Sequence, residues 1–210
     1  LNGMPRARRR RMRRFTVGSC RFARYAPIGA LLLGQMTTDI VVRRALGADL
    51  ERAAQLAGQL ARMHHDTDAD RFFLPERVEQ GYAAWFAREL KRPAAVVLVA
   101  LQGTDLVGYA YGAVEERDWN LLIDRHGAIH DLLVDEQARR LGVGGQLLDA
   151  LVRELEALGA PRIVLYTMPS NERAQRLFRS RGFRPTLLEM TRSAGNDGAR
   201  GAHSSVPQQC

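Results

Sequence analysis

No apolar run in these 210 residues approaches the roughly 18 needed to span a bilayer. The longest clean one runs from Ala94 to Leu101, so a soluble chain with no membrane partner is expected. Cysteine is nearly absent. Cys20 and Cys210 lie in opposite tails, where neither can staple a core or complete a metal site alone, which points to a reducing, cytoplasmic compartment. Acid is missing altogether from residues 1–35, which hold nine arginines (Arg6, Arg8, Arg9, Arg10, Arg11, Arg13, Arg14, Arg21 and Arg24). The formal charge of +8 therefore belongs to this leader and leaves the body at −1. A body without a basic field gives no reason to expect a nucleic-acid partner. The leader itself reads as a basic arm, a targeting peptide or a consequence of start-site choice. Met36 stands directly before a strand-like segment, which favours translation from there. The tail 193–210 lacks apolar content and should be disordered. There is no internal repeat. One domain over 36–192 is expected, and 46% hydrophobic residues are ample for its core.

Within that domain the periodicity reads as strand, two helices, three strands, helix, strand, helix, strand. Residues 40–44 form the first strand. Asp49 caps an amphipathic helix whose apolar face carries Leu50, Ala53, Ala54, Ala57, Leu60 and Ala61. The polar stretch Met63 to Asp70 reads as a loop. Pro75 opens a second helix with Val78, Tyr82, Trp85, Phe86 and Leu90 in register. A buried strand at 94–101 turns through Gln102-Gly103-Thr104-Asp105 into its hairpin partner at 106–115, and a short strand follows at 128–134. A helix with Leu147, Leu148, Leu151, Val152, Leu155 and Leu158 inward stops at Gly159 and Pro161. A strand at 162–167, a helix at 171–181 and a closing strand at 183–192 complete the order.

The chemistry concentrates in Ile129-His130-Asp131-Leu132-Leu133-Val134 and Arg139-Arg140-Leu141-Gly142-Val143-Gly144-Gly145. Here a strand feeds a glycine-rich turn at a helix N-terminus, where free N–H groups and the helix dipole suit a phosphate. Gly142, Gly144 and Gly145 let a diphosphate approach the backbone, and Arg139 and Arg140 add charge beside it. Glycine at this spacing serves a tight strand-to-helix connection equally well. No lysine-serine pair follows, and the spacing is not that of a dinucleotide fingerprint.

The segment resembles the acetyl-CoA motif of the GNAT N-acetyltransferase superfamily, Arg/Gln-x-x-Gly-x-Gly/Ala after a strand ending in Val. Further on, Asn171-Glu172-Arg173-Ala174 and Gly182-Phe183 resemble the family's second signature, an Asn-x-x-Ala helix ending in Gly-Phe. The resemblance covers residues 38–192. It implies a mixed α/β fold whose mostly antiparallel sheet splays between two parallel strands, those at 128–134 and 162–167, with flanking helices. It implies acetyl-CoA as co-substrate and no metal. Pantetheine would bond backbone near Leu132, Leu133 and Val134, and main chain from Arg139 through Gly142, Val143, Gly144 and Gly145 would hold the diphosphate. Asn171 would reach the pantetheine arm or the acetyl end. An amine acceptor, small molecule or peptide, would attack the thioester directly, and a homodimer is admissible.

A protonated amine must first lose a proton, and His130 and Asp131 are the candidates for handling it. His130 stands where relatives carry an acid, and histidine ordinarily titrates near neutrality. Asp131 would hold a cationic acceptor. Strict alternation puts the two on opposite faces of their strand. One departure matters: Phe178 occupies the position of a tyrosine that protonates the leaving thiolate. Tyr166 or water would have to serve instead, or the chain would bind acetyl-CoA without efficient turnover. Asp66, Asp68, Asp70, Glu115, Glu116 and Asp118 would draw a cationic acceptor if they line the cleft, and are solvated loop charges otherwise. His64, His65 and Asp66 lack the further ligands a metal site needs.

Overall fold

The computed structural model describes residues 39–193. The expectations for the arginine-rich leader, the start at Met36 and the tail beyond residue 193 lie outside the described residues.

The architecture follows from one strand. In β2 (Ala95–Gln102), Ala95, Val97 and Val99 turn to one face and Val96, Leu98 and Ala100 to the other, all of them buried. A strand apolar on both faces demands helices above and below it. It lies between β1 (Ile40–Arg44) and β3 (Asp105–Glu115). The sheet continues to β4 (His126–Val134) and β5 (Ile163–Leu165), in the order β1-β2-β3-β4-β5. Every pairing is antiparallel except β4 with β5.

On one face α1 (Leu50–Thr67) and α2 (Val78–Glu89) bury Leu56, Ala57, Leu60 and Phe86 against Tyr109, Tyr111 and Leu133. On the other, α3 (Val143–Ala157) sinks Leu147, Leu148, Leu151 and Leu155 completely. Each of those leucines stabilises the fold by about 1.5–3 kcal/mol. Alongside α3 runs α4 (Glu172–Ser180), packed through Leu177 and Phe178 and tied to it by Arg181 Nε donating to Asp149 at 3.0 Å. The mixed α/β class and the mostly antiparallel sheet match the sequence reading.

Three elements differ from it. Helix α1 runs through Met63, His64, His65 and Asp66 to Thr67, where a loop was expected. These last turns carry no core residue, so apolar periodicity is silent on them. Thr67 Oγ1 donates to Met63 O, and His65 Nδ1 meets Phe72 O at 2.7 Å. Strand β4 begins at His126, two residues early, because a buried histidine hid its start from an apolar pattern. The closing strand at 183–192 does not form. Its apolar residues Leu187, Leu188 and Met190 are exposed, and Pro185 brings no N–H to a ladder. The segment instead reaches the α1–α2 connection, where Arg71 pairs with Glu189 and Ser193 Oγ donates to Asp70.

Gly112 on β3 lies close beneath α3 and close to the neighbouring strand. A Cβ there would stand 2.7 Å from the Ala128 carbonyl oxygen and 3.2 Å from Leu155 Cδ1. Gly112→Ala should cost about 1–3 kcal/mol. Gly81→Ala, whose new methyl meets nothing within 4 Å on α2, should stabilise by up to about 1 kcal/mol. Thermal unfolding compares the two. A Gly112→Ala protein melting with the wild type would refute this packing.

Candidate active site

Parallel pairing between β4 and β5 lasts three residues, Gly127 with Ile163, Ala128 with Val164 and Ile129 with Leu165. Beyond Ile129 the strands part. From Asp131 to Val134, β4 is paired only with β3, so its other edge is open. The N–H of Asp135 donates to Val107 O at 2.8 Å. By the two-residue alternation, Leu133 and Asp131 also direct their main-chain groups at β3, and Leu132 and Val134 turn theirs to the open side. The side chain of Leu133 is buried beneath α1 and α2, whereas Leu132 and Val134 face α3.

The open edge leads into the start of α3. Gly142 is its N-cap in the left-handed conformation, φ 79°, and supplies no side-chain cap. Arg140 just before it is also left-handed, φ 69°, a conformation that a side chain tolerates poorly. The first turn holds no acid, and the first intrahelical bond is Gln146 N to Gly142 O. The N–H groups of Val143, Gly144 and Gly145 are thus left for a partner outside the helix. A Cβ on Gly144 would point between β4 and α4, 3.5 Å from Leu177, 3.7 Å from Val134 and 3.9 Å from Leu132. Beside Gly145 lies the guanidinium of Arg181, a cation the sequence reading did not single out. The two predicted arginines differ. Arg139 donates to Val134 O at 3.4 Å and to Glu136, bracing the turn, while Arg140 is exposed and engages no described residue.

His130 and Asp131 sit where the ladder ends, but not as alternation predicts. Tyr111 pairs with Asp131 while Gly112 pairs with Ile129, so His130 is the extra residue of a β-bulge. The bulge brings both side chains to the face of α1 and α2. His130 stacks on Tyr111, ring centroids 5.2 Å apart. Asp131 lies among Tyr109 and Tyr82, and its Oδ2 and the Tyr109 hydroxyl are both sealed from solvent without a hydrogen-bond partner. Burial pushes the Asp131 carboxyl up to about 6, although the approaching Tyr109 hydroxyl and His130 hold it partly down. Burial likewise raises both tyrosines, Tyr82 to about 12 and Tyr109 further. Buried polar atoms rarely stay unpaired, and those that do cluster at sites with a task.

Other predicted residues serve the scaffold. Asn171 caps α4 by accepting from Ala174 N at 3.1 Å. Phe178 packs edge-on against Phe183, and Tyr166 is exposed beyond β5. Among the suggested acids, Asp68 caps its own turn and Asp70 receives Ser193. Asp118 accepts from Asn120 N and Leu121 N, and Glu116 approaches Arg125. Glu115 alone faces the site, 2.8 Å from His130 Nε2. Among the described residues no group of three His, Cys, Asp or Glu is arranged for a metal, and no helix is long and apolar enough to cross a membrane.

The model of the acetyltransferase (GNAT) family matches residues 60–183. This chain belongs to the GNAT acetyltransferase family. Solved structures share its fold. A tetramutant of the BH1408 protein from Bacillus halodurans is 24% identical with a TM-score of 0.63, over 73% of this chain and 99% of that one. The aminoglycoside N-acetyltransferase AAC(6')-Iy in complex with CoA is 19% identical with a TM-score of 0.61, over 75% and 95%. Glucosamine-6-phosphate N-acetyltransferase from Arabidopsis thaliana is 15% identical with a TM-score of 0.56, over 74% and 99%.

In this GNAT chain the raised Asp131 has a thermodynamic signature. Its carboxyl moves from 3.8 to about 6 on folding, so between those values the folded state binds more protons than the unfolded one. Stability contributed by the neutral carboxyl is then lost as pH rises through that window, by about 3 kcal/mol in all. Asp131→Asn should therefore gain on the wild type progressively from about pH 4 to about pH 7 and hold its lead above that. Urea unfolding across the range measures the difference. A lead that does not grow with pH would contradict the buried carboxylate.

Proposed function

We propose that this chain is an N-acetyltransferase that moves the acetyl group of acetyl-CoA to a primary amine of a small molecule or peptide by direct attack. The observation carrying this reading is the juxtaposition of the open β4 edge with the uncapped glycine turn of α3. An extended pantetheine arm adds to such an edge as a strand would, through the main-chain groups of Leu132 and Val134. The diphosphate fits the first-turn amides of Val143, Gly144 and Gly145, with Arg139 bracing the turn and Arg140 and Arg181 adding charge. In this reading Asn171 keeps one end of α4 in place and has its amide nitrogen to offer the pantetheine arm.

The same edge supplies the chemistry. The Val134 N–H, turned to the open side, faces the oxygen on which charge develops. His130 takes the proton of the attacking amine, and Asp131 with the Tyr109 hydroxyl receives a cationic acceptor before that proton is lost. Their unpaired buried atoms support an amine ligand, which offers both charge and donors. Carbon–nitrogen bond formation expels the thiolate. Phe178 has no proton to give it, so water does. A thiolate leaves tolerably at neutral pH, and turnover is slowed and not abolished. Phe178 also favours a second reading, an acetyl-CoA-binding protein without efficient turnover. Cytoplasmic residence and a domain over 36–192 complete the proposal.

Acetyl-CoA consumption across a panel of amines, with thermal shift by CoA in parallel, separates the two readings. Turnover with any amine is the expected result, and a CoA shift without turnover would favour the second. CoA at a hundredfold its Kd should stabilise by about 2.7 kcal/mol. Gly144→Glu, which puts a carboxylate on the first turn of α3, should abolish that gain. A normal shift in this variant would overturn the cofactor site.

A further inference from the structure

Behind His130 lies a line of polar side chains that the transfer reaction as described does not use. Glu115, at the last position of β3, stands between two imidazoles. Its Oε1 is 2.8 Å from His130 Nε2, and its Oε2 is 3.8 Å from His126 Nε2. Hydrogen-bond chemistry fixes the protons. An ionised carboxylate only accepts, so His130 Nε2 must carry the hydrogen. Neutral imidazole has one N–H, so Nδ1 of His130 then holds a lone pair, and it has no hydrogen-bond partner among the described residues. His126 is buried, 5% exposed, and its Nδ1 lies 3.0 Å from the carbonyl oxygen of Asp124, which also only accepts. Its Nδ1–H is thereby committed, and its Nε2 is left facing the far oxygen of Glu115.

The ring is held in plane as well. Tyr111 stacks beneath His130, and the Tyr111 hydroxyl donates to Glu89 Oε2 on α2 at 2.7 Å. The chain of contacts thus runs from α2 through β3 to the bulge of β4 and back to the start of β4. Each member has its orientation set by the next. A histidine extruded by a bulge would otherwise be free to rotate about two bonds. The charged groups facing it are Glu115 and Asp131, with Glu89 behind Tyr111.

We propose that Glu115 is a positioning residue that holds the Nε2–H of His130, so that Nδ1 is presented at the mouth of the splay as the base for the acceptor amine. Resting on the N-acetyltransferase reading, the step balances simply. The acceptor ammonium first gives one proton to solvent, and the second proton of the neutral amine moves to Nδ1 as the carbon–nitrogen bond forms. The carbon–sulfur bond breaks, and the thiolate takes a proton from water. The positive charge left on the ring lies against the Glu115 carboxylate, which stays ionised. This arrangement removes Glu115 from the acids that would select the acceptor and gives it a role exerted through His130 alone.

A double-mutant cycle on the full chain tests that dependence. His130→Ala should lower kcat about 100-fold. Glu115→Ala should lower it about tenfold with KM for acetyl-CoA unchanged, and should cost nothing further on top of His130→Ala. Glu115→Gln, which keeps an acceptor oxygen at the same place, should recover most of the loss. Losses that multiply, or an unimpaired Glu115→Ala enzyme, would overturn the proposal. Nitrogen-15 spectra of the His130 ring probe the pair without any turnover. The neutral ring should carry its proton on Nε2, with a hydrogen-bonded Nε2–H signal present in the wild type and lost in Glu115→Ala. A wild-type ring protonated on Nδ1 contradicts the proposal. If the spectra agree but no amine is acetylated, the fault lies with the N-acetyltransferase reading and not with the Glu115–His130 pair.

Discussion

Main-chain groups left unpaired at the edge of a sheet are an unmet demand, and β4 carries that demand at its centre-facing end. Three pairs join it to β5, and then Leu132 turns its N–H and C=O, and Val134 its N–H, to the open side, while the Val134 carbonyl accepts from Arg139. Everything else in the site is arranged around this break. The bulge at His130 falls where the ladder stops, so the strand changes its twist as its neighbour departs. The glycine turn after it delivers the first amides of α3 to the same cleft. A closed sheet would satisfy the backbone better and leave no place for a strand-like ligand. In the proposed function an extended pantetheine, whose own amide groups complement such an edge, fills this opening.

A second unmet demand lies on the opposite face. Asp131 Oδ2 and the Tyr109 hydroxyl are buried without a partner of hydrogen-bond geometry, beside an apolar cluster that includes Phe86, Tyr82 and Leu133. Burial raises the Asp131 carboxyl to about 6 and makes its ionised form costly. An ammonium group arriving there would relieve both penalties together. The neighbouring histidine is organised differently, since its ring is held from within the protein, by Glu115 at Nε2 and by Tyr111 beneath it. In the proposed reaction one group receives the acceptor, and the other is already held by Glu115.

The glycine turn was legible in the sequence because glycine at 142, 144 and 145 has few uses and arginines flank it. The Asn-x-x-Ala helix was legible through its apolar spacing and its resemblance to the family signature, whereas the capping role of Asn171 was not. The order of elements followed from periodicity and held through α4, and the arrangement of the sheet was what the family resemblance implied. What failed was whatever depends on a residue's partner and not on its type. Nothing in Ile129-His130-Asp131 announces a bulge, so alternation split two side chains that share a face. His126 hid the start of β4 because a histidine satisfied by a backbone carbonyl resembles a loop residue. Glu115 looked like one more loop acid until its distance from His130 was known. Leu187 and Leu188 resembled a last strand, yet β5 is only three residues long and the segment left it for Arg71.

Amide hydrogen exchange with and without CoA addresses the central claim, that the cofactor completes the open edge of β4 and the first turn of α3. The account predicts new protection at Leu132, Val134, Val143, Gly144 and Gly145, with the β2–β3 hairpin unchanged. Those five amides sit on two separate elements, and only a ligand bridging the cleft would protect them together. Protection confined elsewhere, as at the cavity lined by Arg52, Leu101, Asp105 and Asp135, would contradict it.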